Sequence, residues 1–184
     1  MQLTLQTRLD KSWHDAAILT IPSPDHGTTG LAHLKYEPQD YVIQHLGDHL
    51  LPACSLALPV AIAETYQSPV WFKFLDDIMP AGASRRYWVK ALNITDRAAP
   101  KQDAALLARG TIAPVGNLRI KESVPERTAG SRLPLYRFNI NDVTERQVDF
   151  LEYAQEMGAA SGGATGAGGE APKLLLRCSD TDEV

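Results

Sequence analysis

Cysteine is nearly missing from these 184 residues: Cys54 and Cys178 stand far apart and form no C-x-x-C pair. Zinc ribbons, thioredoxin-type chemistry and disulfide scaffolds are therefore not expected. Positive charge is not in surplus either, since 18 Lys and Arg against 22 Asp and Glu give a formal net charge of -4. That balance argues against an electrostatic grip on DNA or RNA over much of the surface, so no direct nucleic-acid contact is expected. Long apolar runs are also lacking. The longest uncharged, apolar-leaning stretch, Leu50 to Ala63, holds two prolines and is too short to cross a bilayer, so no membrane contact is expected. Met1 is followed by Gln2-Leu3-Thr4-Leu5, without a basic start or an apolar leader core. A signal peptide is not expected, and the default compartment is the cytoplasm. What is present is ordinary for a folded chain: 44% hydrophobic and 22% charged residues. That length allows one ordinary domain or two small ones, with no need of a metal or disulfide staple.

The first third reads as strands. Leu3, Leu5, Thr7 and Leu9 alternate with Thr4, Gln6 and Arg8, the period of a half-buried strand. Ala16 to Ile21 is a second apolar run, and Pro22, Pro24, Asp25 and Gly27 then predict a turn. Gly30 to Tyr36 resumes strand character and stops before Glu37-Pro38. Together these predict an antiparallel sheet. From Ser68 the period becomes helical. Ser68 is a candidate N-cap with Pro69 at the first helical position, and Val70, Phe74, Leu75 and Ile78 follow at helical spacing. Ser84 is a candidate cap for a helix carrying Tyr87, Trp88, Ala91 and Leu92. Lys101 to Arg109 predicts a short helix ended by Gly110, and Thr111 to Ile120 a strand or loop bent at Gly116.

Residues 121–134, rich in charge, Pro and Gly, make the best linker candidate. Asp142 and Glu145 then fit a capping-box spacing for a helix with Val143, Gln147, Phe150, Leu151, Ala154 and Met157 on one face, ended by Gly158. Six of the 13 glycines, Gly158, Gly162, Gly163, Gly166, Gly168 and Gly169, crowd the twelve positions 158–169, followed by Pro172, Lys173 and Leu174-Leu175-Leu176. Glycines this dense do not pack a core and cost backbone entropy. They serve a linker, or a loop whose N–H groups approach a ligand closely.

Two phosphate motifs fail on this loop. Gly166-Ala167-Gly168-Gly169-Glu170-Ala171 matches G-x-G-x-x-A, but a helix is expected before it and a strand after, the reverse of the dinucleotide arrangement. Lys173 lacks a following hydroxyl residue, so the P-loop pattern is not met. A kinase-type arrangement is compatible: glycines over the phosphates, and Lys173 on the next strand pairing with them. Composition alone leaves that reading and a Gly/Ala/Ser linker both open.

Other clusters have bland readings. His45 and His49 stand at i, i+4, a spacing for metal, but without the Glu of H-E-x-x-H or a third ligand nearby; surface histidines beside a turn are the simpler reading. Asp76 and Asp77 are adjacent and do not face one another as a dyad would. Arg85, Arg86 and Lys90 read as a solvated basic face. Trp71, Phe72, Phe74, Tyr87 and Trp88 read as core, with any exposed subset pointing to a partner.

Several segments, in order, resemble the N-terminal part of HipA-family kinases, the toxins of HipBA-type toxin–antitoxin systems. Tyr36-Glu37-Pro38 resembles a strand-ending Y-x-P, and Ser55-Leu56-Ala57-Leu58-Pro59 resembles S-L-S-L-P. Phe74-Leu75-Asp76-Asp77-Ile78-Met79-Pro80 resembles F-x-D-N-L-L-P, and Val115-Gly116-Asn117-Leu118 resembles V-G-A-V. Gly168 to Leu176 resembles the G-x-Q-x-K-x-x-L nucleotide loop.

The resemblance implies an α+β fold: an N-terminal antiparallel-strand plus helix subdomain over residues 1–125, leading through 126–184 into the start of a kinase-like nucleotide-binding lobe. It implies ATP and magnesium for the complete serine/threonine kinase. Gly162, Gly163, Gly166, Gly168, Gly169 and Lys173 would hold phosphate, and Ser161 or Thr165 is the candidate for autophosphorylation. The catalytic aspartate and the magnesium ligands belong to a later lobe, and eleven residues follow Lys173, so no catalytic residue or metal ligand is assigned here. The expected partners are the remaining lobe or a separate kinase chain, an antitoxin protein, or a second copy through an uncovered apolar face. Two rival readings stand beside this one. The first is a small interaction or antitoxin-like subunit docking on a separate HipA-like kinase. The second is an unrelated nucleotide-binding enzyme, marked by a helix in place of a strand from Ala171.

Overall fold

Alternating residues at the N-terminus build a sheet around the first strand. The computed structural model describes residues 1–111, 116–124 and 138–145. Strand β1, Gln2–Leu9, turns through Asp10 and Lys11 into β2, Ser12–Thr20. Both turn residues have positive φ, 46° and 67°, the conformation of a two-residue hairpin loop matched to strand twist. β3, Ala32–Tyr36, and β4, Thr65–Ser68, continue the meander, and β5, Leu118–Ile120, returns to the free side of β1. The order is β4-β3-β2-β1-β5, with every neighbour antiparallel. The protein is thus a mixed α+β fold with a five-stranded antiparallel sheet.

Facing pairs Leu3–Leu19, Leu5–Ala17, Leu19–Leu34 and Leu5–Ile120 put one apolar side of the sheet into the core. A bulge opposite Leu5 and Gln6 lets Ala16 and Ala17 both be buried, and the Ala16 carbonyl accepts from the Glu37 N–H at 3.0 Å. The opposite side is polar. Lys121 Nζ lies 2.6 Å from Asp15, whose other oxygen accepts from Gln6 Nε2 at 2.6 Å; Gln6 in turn accepts from Arg119, stacked 4.2 Å over the Trp13 ring. Burial pushes the Asp15 carboxyl up, but the hydrogen bonds from Lys121 and Gln6, with the Lys121 and Arg119 charges, outweigh it and hold the group below its ordinary value.

Helices close the core. α1, Gln39–Gln44, follows Pro38; α2 is Gly82–Ala91; α3 is Ala99–Arg109, with Pro100 in its first turn and Gly110 at its end. Leu106 and Leu107 of α3 are fully buried. α3 packs on a 3-10 segment, Pro24–Thr29. There Gly27 has φ 55°, and a Cβ at that position would stand 2.5 Å from Asp103 Oδ2 and 2.6 Å from the Pro100 carbonyl. Asp103 is buried, accepts from the Thr28 N–H at 3.3 Å and pairs with Arg85 of α2 at 2.7 Å.

Three expectations are corrected. No helix begins at Ser68: it ends β4 opposite Ala32, and the segment beyond holds a 3-10 turn, Lys73–Asp77. The Trp71 N–H bonds to the Thr28 carbonyl at 3.1 Å, so sheet and loop partners claim the residues that were to propagate the helix. Arg85 does not belong to a solvated basic face, because Asp103 holds it between two helices. The linker does not start at Lys121: residues 121–123 form a 3-10 turn in which Ser123 is buried, and Glu122 accepts from the Thr4 N–H at 2.9 Å. Two caps are displaced. α2 starts two residues before Ser84, and α4, Ile140–Thr144, has Asn139 as its N-cap, with Asp142 as the reciprocating residue of the capping box. The expected continuation of that helix from Gln147 lies outside the described residues.

Candidate functional site

A cleft of about 530 Å³ opens where three separate stretches of chain meet. One wall is the loop after α1, through Leu50, Leu51, Ser55 and Leu56; the second is the 3-10 turn, through Phe74 and Asp77; the third is the entry to β5, through Asn117 and Leu118. Buried Ala53 and Cys54 complete the lining.

Hydrogen bonds from the sheet fix the loop wall, which otherwise has no regular structure to hold it. The Tyr36 hydroxyl, at the end of β3, accepts from the Cys54 N–H at 2.9 Å and donates to the Leu58 carbonyl at 2.5 Å. Tyr41 of α1 bonds the buried Thr7 hydroxyl at 2.8 Å and donates to the Pro52 carbonyl at 2.6 Å. Tyr66 of β4 donates to the Pro59 carbonyl at 2.7 Å and meets the Tyr36 ring edge-on, 6.2 Å between centroids. Asn117 Nδ2 closes the ring of contacts, donating to the Leu51 carbonyl at 3.1 Å. The five bonds that reach the loop each satisfy a backbone group that it would otherwise leave to water. Burial pushes the Cys54 thiol up to about 12, so at neutral pH it is a protonated small apolar group and not a nucleophile. Burial likewise raises the Tyr36 phenol, and that of Tyr41 to about 12.

The lining is chemically lopsided. Leu50, Leu51 and Leu56 are 73%, 64% and 73% exposed, an unusual density of naked leucine on one opening. Asp77 carries the formal charge among the lining residues. Its neighbour Asp76 faces outward and pairs with Lys73 at 3.7 Å, so the two carboxylates do not act together. Among the described lining residues there is one carboxylate, Asp77, one hydroxyl, Ser55, and no paired acids.

Four segments carrying the resemblance bound this cleft or brace it. Tyr36 braces the loop, Ser55 and Leu56 line it, Phe74 and Asp77 form a wall, and Asn117 and Leu118 another. The remaining segment, Gly168 to Leu176 with Gly169 and Lys173, lies outside the described residues, as do Gly162, Gly163, Gly166, Ser161, Thr165 and the second cysteine, Cys178. His45 caps the end of α1, meets the Tyr41 ring at a tilt with 4.7 Å between centroids and lies 3.3 Å from Asp48, while His49 is exposed. Among the described residues no three His, Cys, Asp or Glu side chains gather as a metal set, and no helix is long and apolar enough to cross a membrane. Of the five aromatics, Trp71 and Phe72 are core and Tyr87 is exposed. The cleft itself was not anticipated from sequence; the run Leu50-Leu51 beside Pro52, outside any periodic pattern, is the signal that could have found it. Compared with family models, curated proteins and solved structures, the chain matches none.

Proposed function

We propose that this chain is the N-terminal portion of a HipA-like serine/threonine kinase. Residues 1–125 form an interaction subdomain, and 126–184 contribute the glycine-rich loop and lysine of an ATP site. The observation that carries the reading is spatial. Segments that resemble the family at Tyr36, Ser55–Pro59, Phe74–Pro80 and Asn117–Leu118 are separated by up to about eighty residues in sequence, yet they meet around one cleft and are tied by Tyr36 and Asn117. Chance matches scattered along a chain have no reason to converge.

In this reading the N–H groups of Gly162, Gly163, Gly166, Gly168 and Gly169 take phosphate oxygens, and the Lys173 ammonium neutralises their charge. Magnesium and the catalytic aspartate come from a later lobe. Phosphoryl transfer depends on positioning and on charge neutralisation by metal, so this chain alone binds nucleotide without transferring phosphate. Calorimetric titration with ATP, with and without magnesium, tests it. Saturable binding that falls at least tenfold in Lys173→Ala, with no transfer from radiolabelled ATP, is the expected result. Binding indifferent to Lys173→Ala, or unaided phosphorylation of a substrate, overturns it.

A further inference from the structure

We draw no further inference here: the strongest candidate, the apolar opening that Leu50, Leu51 and Leu56 form on the loop after α1, carries none because nothing in the structure shows what covers it.

Discussion

Replacing Tyr36 with Phe removes one oxygen atom from a side chain only 2% exposed, and that atom serves two backbone groups of the cleft loop. The ring stays, with its edge-on contact to Tyr66, so little packing is lost. The Cys54 N–H is fully enclosed and is left without its acceptor. An orphaned buried donor costs about 1–3 kcal/mol. The Leu58 carbonyl belongs to a half-buried residue, and water recovers part of its loss. The expected destabilisation is therefore about 2–3 kcal/mol. Tyr66→Phe is the control: it removes a single bond, to Pro59, from a half-buried ring, and is expected to cost about 1 kcal/mol or less. Urea unfolding followed by tryptophan fluorescence measures both, with an unchanged slope against denaturant as the sign that only stability moved. Tyr36→Phe costing less than about 0.5 kcal/mol, or no more than Tyr66→Phe, would refute the argument that Tyr36 holds the loop.

Gly27→Ala meets both a positive φ and two oxygens within 2.6 Å, so thermal unfolding should report a loss of about 3 kcal/mol or more; a near-neutral variant contradicts the packing of α3. At the first hairpin, Asp10→Asn combined with Lys11→Gly supplies residues suited to positive φ and should raise stability by about 1 kcal/mol in urea. Stability should also fall in alkali. Burial lifts the Cys54 thiol from 9 to about 12 and the Tyr41 phenol from 10 to about 12, so the unfolded chain releases these protons first and the folded chain binds more. Their contribution is intact below pH 9 and is lost as pH rises toward about 12, each group adding a slope of about 1.4 kcal/mol per pH unit in that window. A urea midpoint constant from pH 9 to about 11 would show that the two groups are not enclosed.

Local periodicity carried the sheet and failed at the cleft. The alternation of Leu3, Leu5 and Thr7 survives as inward positions of β1 because a strand has one buried side, and no other local arrangement buries those residues together. Gly110 ends α3 where expected, because capping is decided within one turn. Phe74, Leu75 and Ile78 had helical spacing but sit around a 3-10 turn, since the pairing of Ser68 with Ala32 and of Trp71 with Thr28 outweighs propensities worth a fraction of a kilocalorie per residue. Arg85 looked solvated because its partner, Asp103, stands on the next helix. The cleft was hidden for the same reason on a larger scale. Leu50, Phe74 and Asn117 are neighbours only after the sheet has assembled, and the loop from Leu50 to Pro59 follows no period, because tyrosine hydroxyls fix it.

The placement of β1 has a consequence for synthesis. Its second neighbour, β5, is made long after the meander is complete: 52 residues separate Ser68 from Ile120. At about 5–20 residues per second the ribosome needs roughly 3–10 s to supply it. Through that interval the amides and carbonyls of Gln6 and Arg8 that later meet β5 and its entry face solvent on a nascent chain, open to any extended peptide nearby. A chain interrupted before Leu118 keeps that vulnerability for good, and premature termination there should give aggregates and not a smaller soluble protein.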